Sequence, residues 1–166
     1  MRRVAILGGT IGSLACAHSV LDSFPLSLVT VITADAEIGF PEKQTGGGVI
    51  LNKVWGLMPE GWYGEIPKGV IQDARSATSK SWLCKAMAIR LSKRGAECYL
   101  RTNILSVDEV EGKVWFRGAG VVGSGVSMFD LVVDFRDSEK RGLPLEEELV
   151  LGVERGKISC IALAAL

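Results

Sequence analysis

Gly8-Gly9-Thr10-Ile11-Gly12-Ser13 is the segment whose residue types and spacing suit a definite chemistry, the cradling of phosphate. A glycine turn between a strand and a helix presents N–H groups at the helix N-terminus, where the helix dipole also favours an anion. In the dinucleotide form of this turn the first glycine makes the tight bend and the second lets backbone approach the pyrophosphate. The third lets helix pack close to strand. Two registers fit: Gly8, Thr10 and Ser13, or Leu7, Gly9 and Gly12. The first is preferred because its turn begins directly after an apolar run, and it puts Ala17 where a small helix residue is wanted. In that register Thr10 brings a β-branched side chain to the phosphate approach, and Ser13 is a mild enlargement. A second strand should follow about 20 residues on and end in an acid for the ribose hydroxyls. Here it ends at Thr33, with Ala34, Asp35 and Glu37 next. A purely structural turn in a doubly wound domain accounts for the local motif equally well.

The remaining reactive side chains read more plainly. His18 is the single histidine, so no Ser–His–Asp set can be assembled, and it reads as structural or surface. Cys16 lies one turn into the first helix, where a thiol pKa can fall; packing against the sheet is its simpler role. Cys16, Cys84, Cys98 and Cys160 form no C-x-x-C pair. That spacing argues against zinc and for small buried hydrophobes in a reduced, cytoplasmic setting. Trp55, Trp62 and Tyr63 suit a pocket for an apolar ligand or the core of an ordered loop region, the latter preferred. Gly46, Gly47 and Gly48 mark either a close backbone approach or a flexible loop. Glu146, Glu147 and Glu148 read as a solvated helix face.

The elements that must position these residues follow from periodicity. Val4–Leu7 is a short apolar run fit for a strand buried on both faces, and Leu28–Thr33 is a β-branched second strand. Between them, Gly12 to about Ser23 reads as a helix with Leu14, Ala17 and Leu21 on one face, so a right-handed βαβ unit is expected. From Ala34 to about Lys80 the pattern suggests loops with short elements. Ser79 to Arg94 predicts a helix capped by Ser79 or Ser81, with Trp82, Leu83, Ala86, Met87 and Ile89 as its apolar face and Gly95 beyond its end. Strands are expected at 97–100, 104–110 and 113–116, with a turn at Glu111-Gly112, a loop or bulged edge at Gly118–Gly125, and a buried strand at Phe129–Asp134. Residues 135–157 are polar and charged, and an apolar strand is expected from Ile158 to Leu166.

The fold class is therefore α/β: residues 1–166 as one three-layer, Rossmann-like dinucleotide-binding domain with a central parallel sheet and a β-meander crossover. Composition narrows the function. Lys plus Arg and Asp plus Glu are each 19, which gives no electrostatic footprint for nucleic acid or an anionic membrane. Apolar residues at 48% and charged residues at 23% exclude disorder. No secretory leader pattern and no apolar run of membrane-span length is seen.

Val4 to Ala17, VAILGGTIGSLACA, resembles the opening of flavoprotein oxidoreductases of the glutathione-reductase and aromatic-hydroxylase superfamily. Val29 to Ile50 resembles its geranylgeranyl reductase branch, through Glu37-Ile38-Gly39-Phe40-Pro41 and Thr45-Gly46-Gly47-Gly48. The helix at 82–94 with GAECYLRTNILSV after it, and Phe129 to Phe135, resemble the family's crossover and the strand that follows. The departures are Thr10 and Ser13 for glycines, Thr33 for the ribose carboxylate, and Phe135-Arg136-Asp137 where the family has a small residue, an Asp, Ser or Thr, and a glycine. The tail Ile158–Ala165 aligns with a late family strand ending Gly-Asp-Ala, with Ala162 and Leu163 in the Gly and Asp places.

The resemblance implies FAD as cofactor, with NAD(P) as the alternative dinucleotide. It implies contacts from Gly8, Gly9, Thr10, Ile11, Gly12 and Ser13 at the pyrophosphate, from Thr33, Ala34 and Asp35 at the ribose, and from Gly46, Gly47, Gly48 and Ile104 elsewhere along the cofactor. It implies hydride transfer between flavin and an apolar unsaturated or aromatic substrate. Two missing carboxylates, each about 1.5–3 kcal/mol as a charged hydrogen bond, would weaken FAD roughly a hundredfold or more. At 166 residues the family's substrate domain is expected to be absent. The alternative is a non-catalytic dinucleotide-fold protein that serves as a binding or structural subunit, in a homo- or hetero-oligomer.

Overall fold

The computed structural model describes residues 1–38, 55–64, 80–118 and 123–166, leaving aside the side chains of residues 80 and 81. Four parallel strands form the central sheet: β1 (Arg3–Leu7), β2 (Leu28–Ile32), β3 (Glu97–Tyr99) and β7 (Leu131–Asp134), in the order β3-β2-β1-β7. The register sets Val4 against Val29 on one side and Leu131 on the other, so β1 is flanked on both edges. An antiparallel meander of β4 (Thr102–Asp108), β5 (Lys113–Gly118) and β6 (Ser124–Met128) forms a second sheet.

Strand alternation divides the core into two clusters. Val4, Ile6, Val29, Val31 and Val133 face the helices, whereas Ala5, Leu7 and Ile32 pack with Val114 and Phe129 toward the meander. Three layers result, as the α/β reading expects. Helix α1 (Ile11–Ser23) is buried along nearly its whole circumference, which is why most of its residues are apolar or small, His18 being the buried exception. Helix α2 (Lys80–Lys93) buries Leu83, Cys84, Met87 and Leu91 and stops at Gly95, whose φ is +91°. Ile89 departs from expectation and is 57% exposed, because two residues beyond Met87 a helix has turned to its far side. The expected cap at Ser79 lies outside the described residues, as does the side chain of Ser81.

The C-terminal region differs most from expectation. Residues 158–166 are not a strand. After a short α3 (Arg136–Arg141), a 20-residue helix α4 runs from Leu145 to Ala164. Its buried side is Leu149, Gly152, Gly156, Ser159 and Leu163, a helical period built largely from small residues, while Ile158 and Ile161 face outward. The small residues are demanded by α1. A Cβ on Gly152 would lie 2.2 Å from the Gly12 carbonyl oxygen, and one on Gly156 would lie 2.5 Å from Ser19 Cβ. The alignment of Ala162 and Leu163 with a late Gly-Asp-Ala strand falls with that strand. Glu148 is a second correction: it is only 2% exposed, pressed against Gly12 rather than solvated, with Glu147 alone of the three fully outward. The expected edge at Gly118–Gly125 becomes in part strand β6, paired to β5 from Ser124 onward.

Candidate functional site at the glycine turn

The turn sits at the carboxyl end of β1, where the chain crosses to β2 on one side and β7 closes on the other. In open parallel sheets this is the crevice that takes ligands. Leu7 is the last strand residue, and Gly8 adopts φ +117° while its N–H donates to the Ile32 carbonyl at 2.8 Å. Only glycine holds that conformation without strain.

Thr10 then caps α1. Its hydroxyl oxygen accepts from the Ser13 N–H at 3.2 Å, and the Ser13 hydroxyl donates to the Thr10 carbonyl at 2.7 Å. The β-branched side chain is therefore turned into the helix cap rather than out toward a phosphate. Ser13 is fully buried and engaged on Thr10, and Ile11 is buried in the core. The cap closes the Ser13 N–H, while Ile11 and Gly12 are first-turn residues with no i−4 carbonyl within the helix. Gly12 serves packing: a Cβ there would stand 2.6 Å from the Glu148 carbonyl oxygen of α4.

The expected ribose residues come to the turn from β2. A Cβ on Gly9 would be 2.9 Å from Thr33 Oγ1 and 3.2 Å from Asp35 Oδ2. The Thr33 hydroxyl donates to Asp35 Oδ2 at 3.2 Å and accepts from the Asp35 N–H at 3.2 Å. Thr33 is buried, whereas Asp35 and Ala34 are exposed. The Arg101 N–H donates to the Asp35 carbonyl at 2.8 Å and fastens this corner to the β3–β4 connection. Asp35, two residues past Thr33, thus stands on the same flank of the turn as Gly9.

The β7 flank carries charges that sequence reasoning missed. Asp134 ends β7 and binds Arg136 through Nη2 to Oδ2 at 2.7 Å. Burial alone would raise the Asp134 pKa, but the hydrogen bonds from Arg136 outweigh it and hold the carboxyl below its usual range. Arg155 lies 4.3 Å over the Phe135 ring and also reaches the Asp134 carbonyl. Glu139 Oε2 is 3.4 Å from where a Gly8 Cβ would sit. An i, i+2 Asp–Arg pair leaves some trace in sequence; Glu139 leaves none, since only the placement of α3 brings it to Gly8.

Other expected residues stand elsewhere. Ile104 pairs with Phe116 and packs between the two sheets. Gly46, Gly47 and Gly48 lie outside the described residues. His18 is fully buried, stacked on Trp62 at 5.5 Å; its Nε2–H donates to the Met87 carbonyl at 3.0 Å and its Nδ1 accepts from Arg94 at 3.0 Å. Burial is the main cause that pushes its pKa down to about 4, so it is neutral and structural. Cys16 is fully buried in the core cluster that includes Val4 and Ile6, with its Sγ 3.9 Å from Ser159 Oγ of α4, and burial pushes its thiol up to about 12, away from thiolate chemistry. Among the described residues no His, Cys, Asp and Glu grouping could hold a metal, and no helix is long and apolar enough to cross a membrane.

A parallel sheet whose first strand bends through a glycine turn into a buried helix, with helices on one face and a meander on the other, is a Rossmann-like dinucleotide-binding fold. Solved structures share it. CabE, an aromatic hydroxylase from angucycline biosynthesis, superposes with a TM-score of 0.57 at 14% identity, over 79% of this chain and 30% of that one. OxyS, an anhydrotetracycline hydroxylase from Streptomyces rimosus, gives 0.55 at 17% identity, over 80% and 31%. PyrE3, a Diels-Alderase of pyrroindomycin biosynthesis, gives 0.53 at 18% identity, over 81% and 32%. The chain thus spans less than a third of each, and one fold carries more than one chemistry among them. No family model and no curated protein matches the sequence.

Proposed function

We propose that this chain is an FAD-binding, oxidoreductase-like domain, with NAD(P) as the alternative dinucleotide. The observation that carries the reading is the meeting of Gly9, Thr33 and Asp35: a glycine turn at a helix N-terminus with an exposed carboxylate beside it. A dinucleotide requires that pair of features for its pyrophosphate and ribose. The residues present fit that half of the cofactor. Gly8, Gly9 and the first turn of α1 would face the pyrophosphate, and Asp35 with Ala34 would face the ribose, supported by the Thr33 hydroxyl. Bound there, flavin would supply hydride transfer to an apolar unsaturated or aromatic substrate. The resemblance of the stretch from Val29 to Ile50 supports flavin and the geranylgeranyl reductase branch.

A spectrum tests this. The purified protein is mixed with FAD, passed through gel filtration and scanned in the visible range. Retained flavin bands are expected. A colourless protein whose Tm ignores excess FAD and NAD(P)H would overturn the reading and leave the role of a subunit in a larger assembly. That role draws on the outer meander face, where Leu105, Val126 and Met128 are more than half exposed.

A further inference from the structure

The two edges of the meander are built differently. Strand β4 is blunted. Leu105 is an extra residue between the register pairs Ile104–Phe116 and Ser106–Trp115, Asp108 stands at the strand end, and the Thr102 N–H donates to the Thr33 carbonyl at 2.9 Å. A bulge and a charge are common devices against edge pairing. Strand β6 has neither. It runs Ser124-Gly125-Val126-Ser127-Met128 in unbroken register with β5 and carries no charged side chain.

The ladder dictates which backbone groups β6 leaves open. At one end the Gly118 N–H donates to the Gly123 carbonyl at 2.6 Å, and at the other the Phe129 N–H donates to the Gly112 carbonyl at 2.8 Å. Hydrogen-bonded and non-bonded pairs alternate along an antiparallel ladder. Alternation inward from both ends makes Phe116–Gly125 and Val114–Ser127 the bonded pairs. Ser124, Val126 and Met128 therefore turn their N–H and carbonyl groups away from β5, and among the described residues no backbone partner meets them. Val126 and Met128 share the outer face with Trp115, and they are 53% and 55% exposed.

Such a row accepts one more extended strand. The row is also its own complement. Turned about a two-fold axis through Val126, it sets Val126 against the partner's Val126 and Ser124 against the partner's Met128, each open N–H opposite an open carbonyl. No like charges meet along it, and Trp115 and Val126 of both chains make one apolar stripe across the axis. We propose that β6 pairs with β6 of a second copy of this chain, antiparallel about Val126, joining two meanders into one continuous sheet. Nothing in the pairing involves the glycine turn, so it stands whatever the turn binds.

The test is the molar mass of the full chain by sedimentation equilibrium from micromolar to millimolar concentration. A monomer–dimer equilibrium is expected in wild type. Val126→Pro removes the open donor on the axis and keeps the ladder to β5, in which the Val126 N–H takes no part. Val126→Lys sets like charges on the axis from an exposed position. Each is expected to raise the dimer dissociation constant at least about tenfold, Val126→Lys with an unchanged Tm. Val126→Cys with oxidised glutathione is expected to give a covalent dimer on a non-reducing gel, because Cα atoms of a bonded antiparallel pair stand about 5.5 Å apart, within disulfide reach. Wild type, with its four free cysteines, is expected to give none. A wild-type chain that stays monomeric throughout overturns the pairing and leaves the edge to a segment of another protein. A dimer that neither Val126→Pro nor Val126→Lys weakens also overturns it, since the copies would then meet elsewhere.

Discussion

The two ends of α1 are both rich in polar groups, and they use them in opposite ways. At the C-terminal end the polar contacts among the described residues close within the protein. His18 bonds the Met87 carbonyl and Arg94; Arg94 binds Asp22 at 2.7 Å; the Trp62 indole N–H donates to Asp22 at 2.8 Å. At the N-terminal end Gly8, Gly9 and Gly12 are crowded by Glu139, Asp35 and Glu148 in turn, and two of those carboxylates belong to exposed residues. The first arrangement holds structure together. The second places the exposed Asp35 carboxylate beside the turn, at a solvent boundary. Burial with closed partners, rather than residue type, separates the single histidine from the site.

The largest expected effect attacks what holds the N-terminal end in place. Gly152→Val forces a side chain into the α1 backbone at Gly12. It should cost about 3 kcal/mol as overpacking, lowering Tm by roughly 6–12 °C in a calorimetric scan. Retention of the wild-type Tm would mean that the two helices do not touch there.

Next comes acid sensitivity at the other end. His18 has a folded pKa near 4 against 6.5 unfolded, so below pH 6.5 the unfolded chain takes up a proton that the folded chain refuses. Its contribution is fully present above pH 6.5 and is lost as pH falls toward 4, about 3 kcal/mol in all. Urea unfolding across that range should show the loss in wild type and a shallower slope in His18→Gln. Equal slopes would remove His18 from the structural network.

Asp35→Ala probes the binding end. FAD affinity should fall roughly 10- to 100-fold, the worth of about 1.5–3 kcal/mol for a charged hydrogen bond, while stability stays within about 0.5 kcal/mol as at other surface positions. The smallest effect is expected at Lys85, which pairs with Glu37 at 3.2 Å with both side chains about half exposed. Lys85→Ala should change stability by less than about 1 kcal/mol and leave FAD affinity unchanged, marking it as part of neither end.

The β1–turn–α1–β2 unit was legible because buried parallel strands are short apolar runs and a glycine pair breaks them. The placement of Asp35 beside the turn was legible because its spacing after β2 puts it at the carboxyl edge of the sheet, next to Gly9. Helix α4 was not. Gly152, Gly156 and Ser159 mark its buried side, while Ile158 and Ile161 face out, so hydropathy points the wrong way and the apolar tail reads as a strand. Close helix–helix contact selected small residues over large apolar ones. Glu139 was illegible for a different reason: its neighbour Gly8 is 131 positions away and is reached only through the pairing of β1 with β7.

Flavin titration of the wild-type chain beside Asp35→Ala and His18→Gln at pH 7.5 tests the central claim most directly. Saturable binding that Asp35→Ala weakens and His18→Gln does not is the expected result. Equal weakening by both, or no saturable binding in any of them, would contradict the assignment of the N-terminal end of α1 as a dinucleotide site.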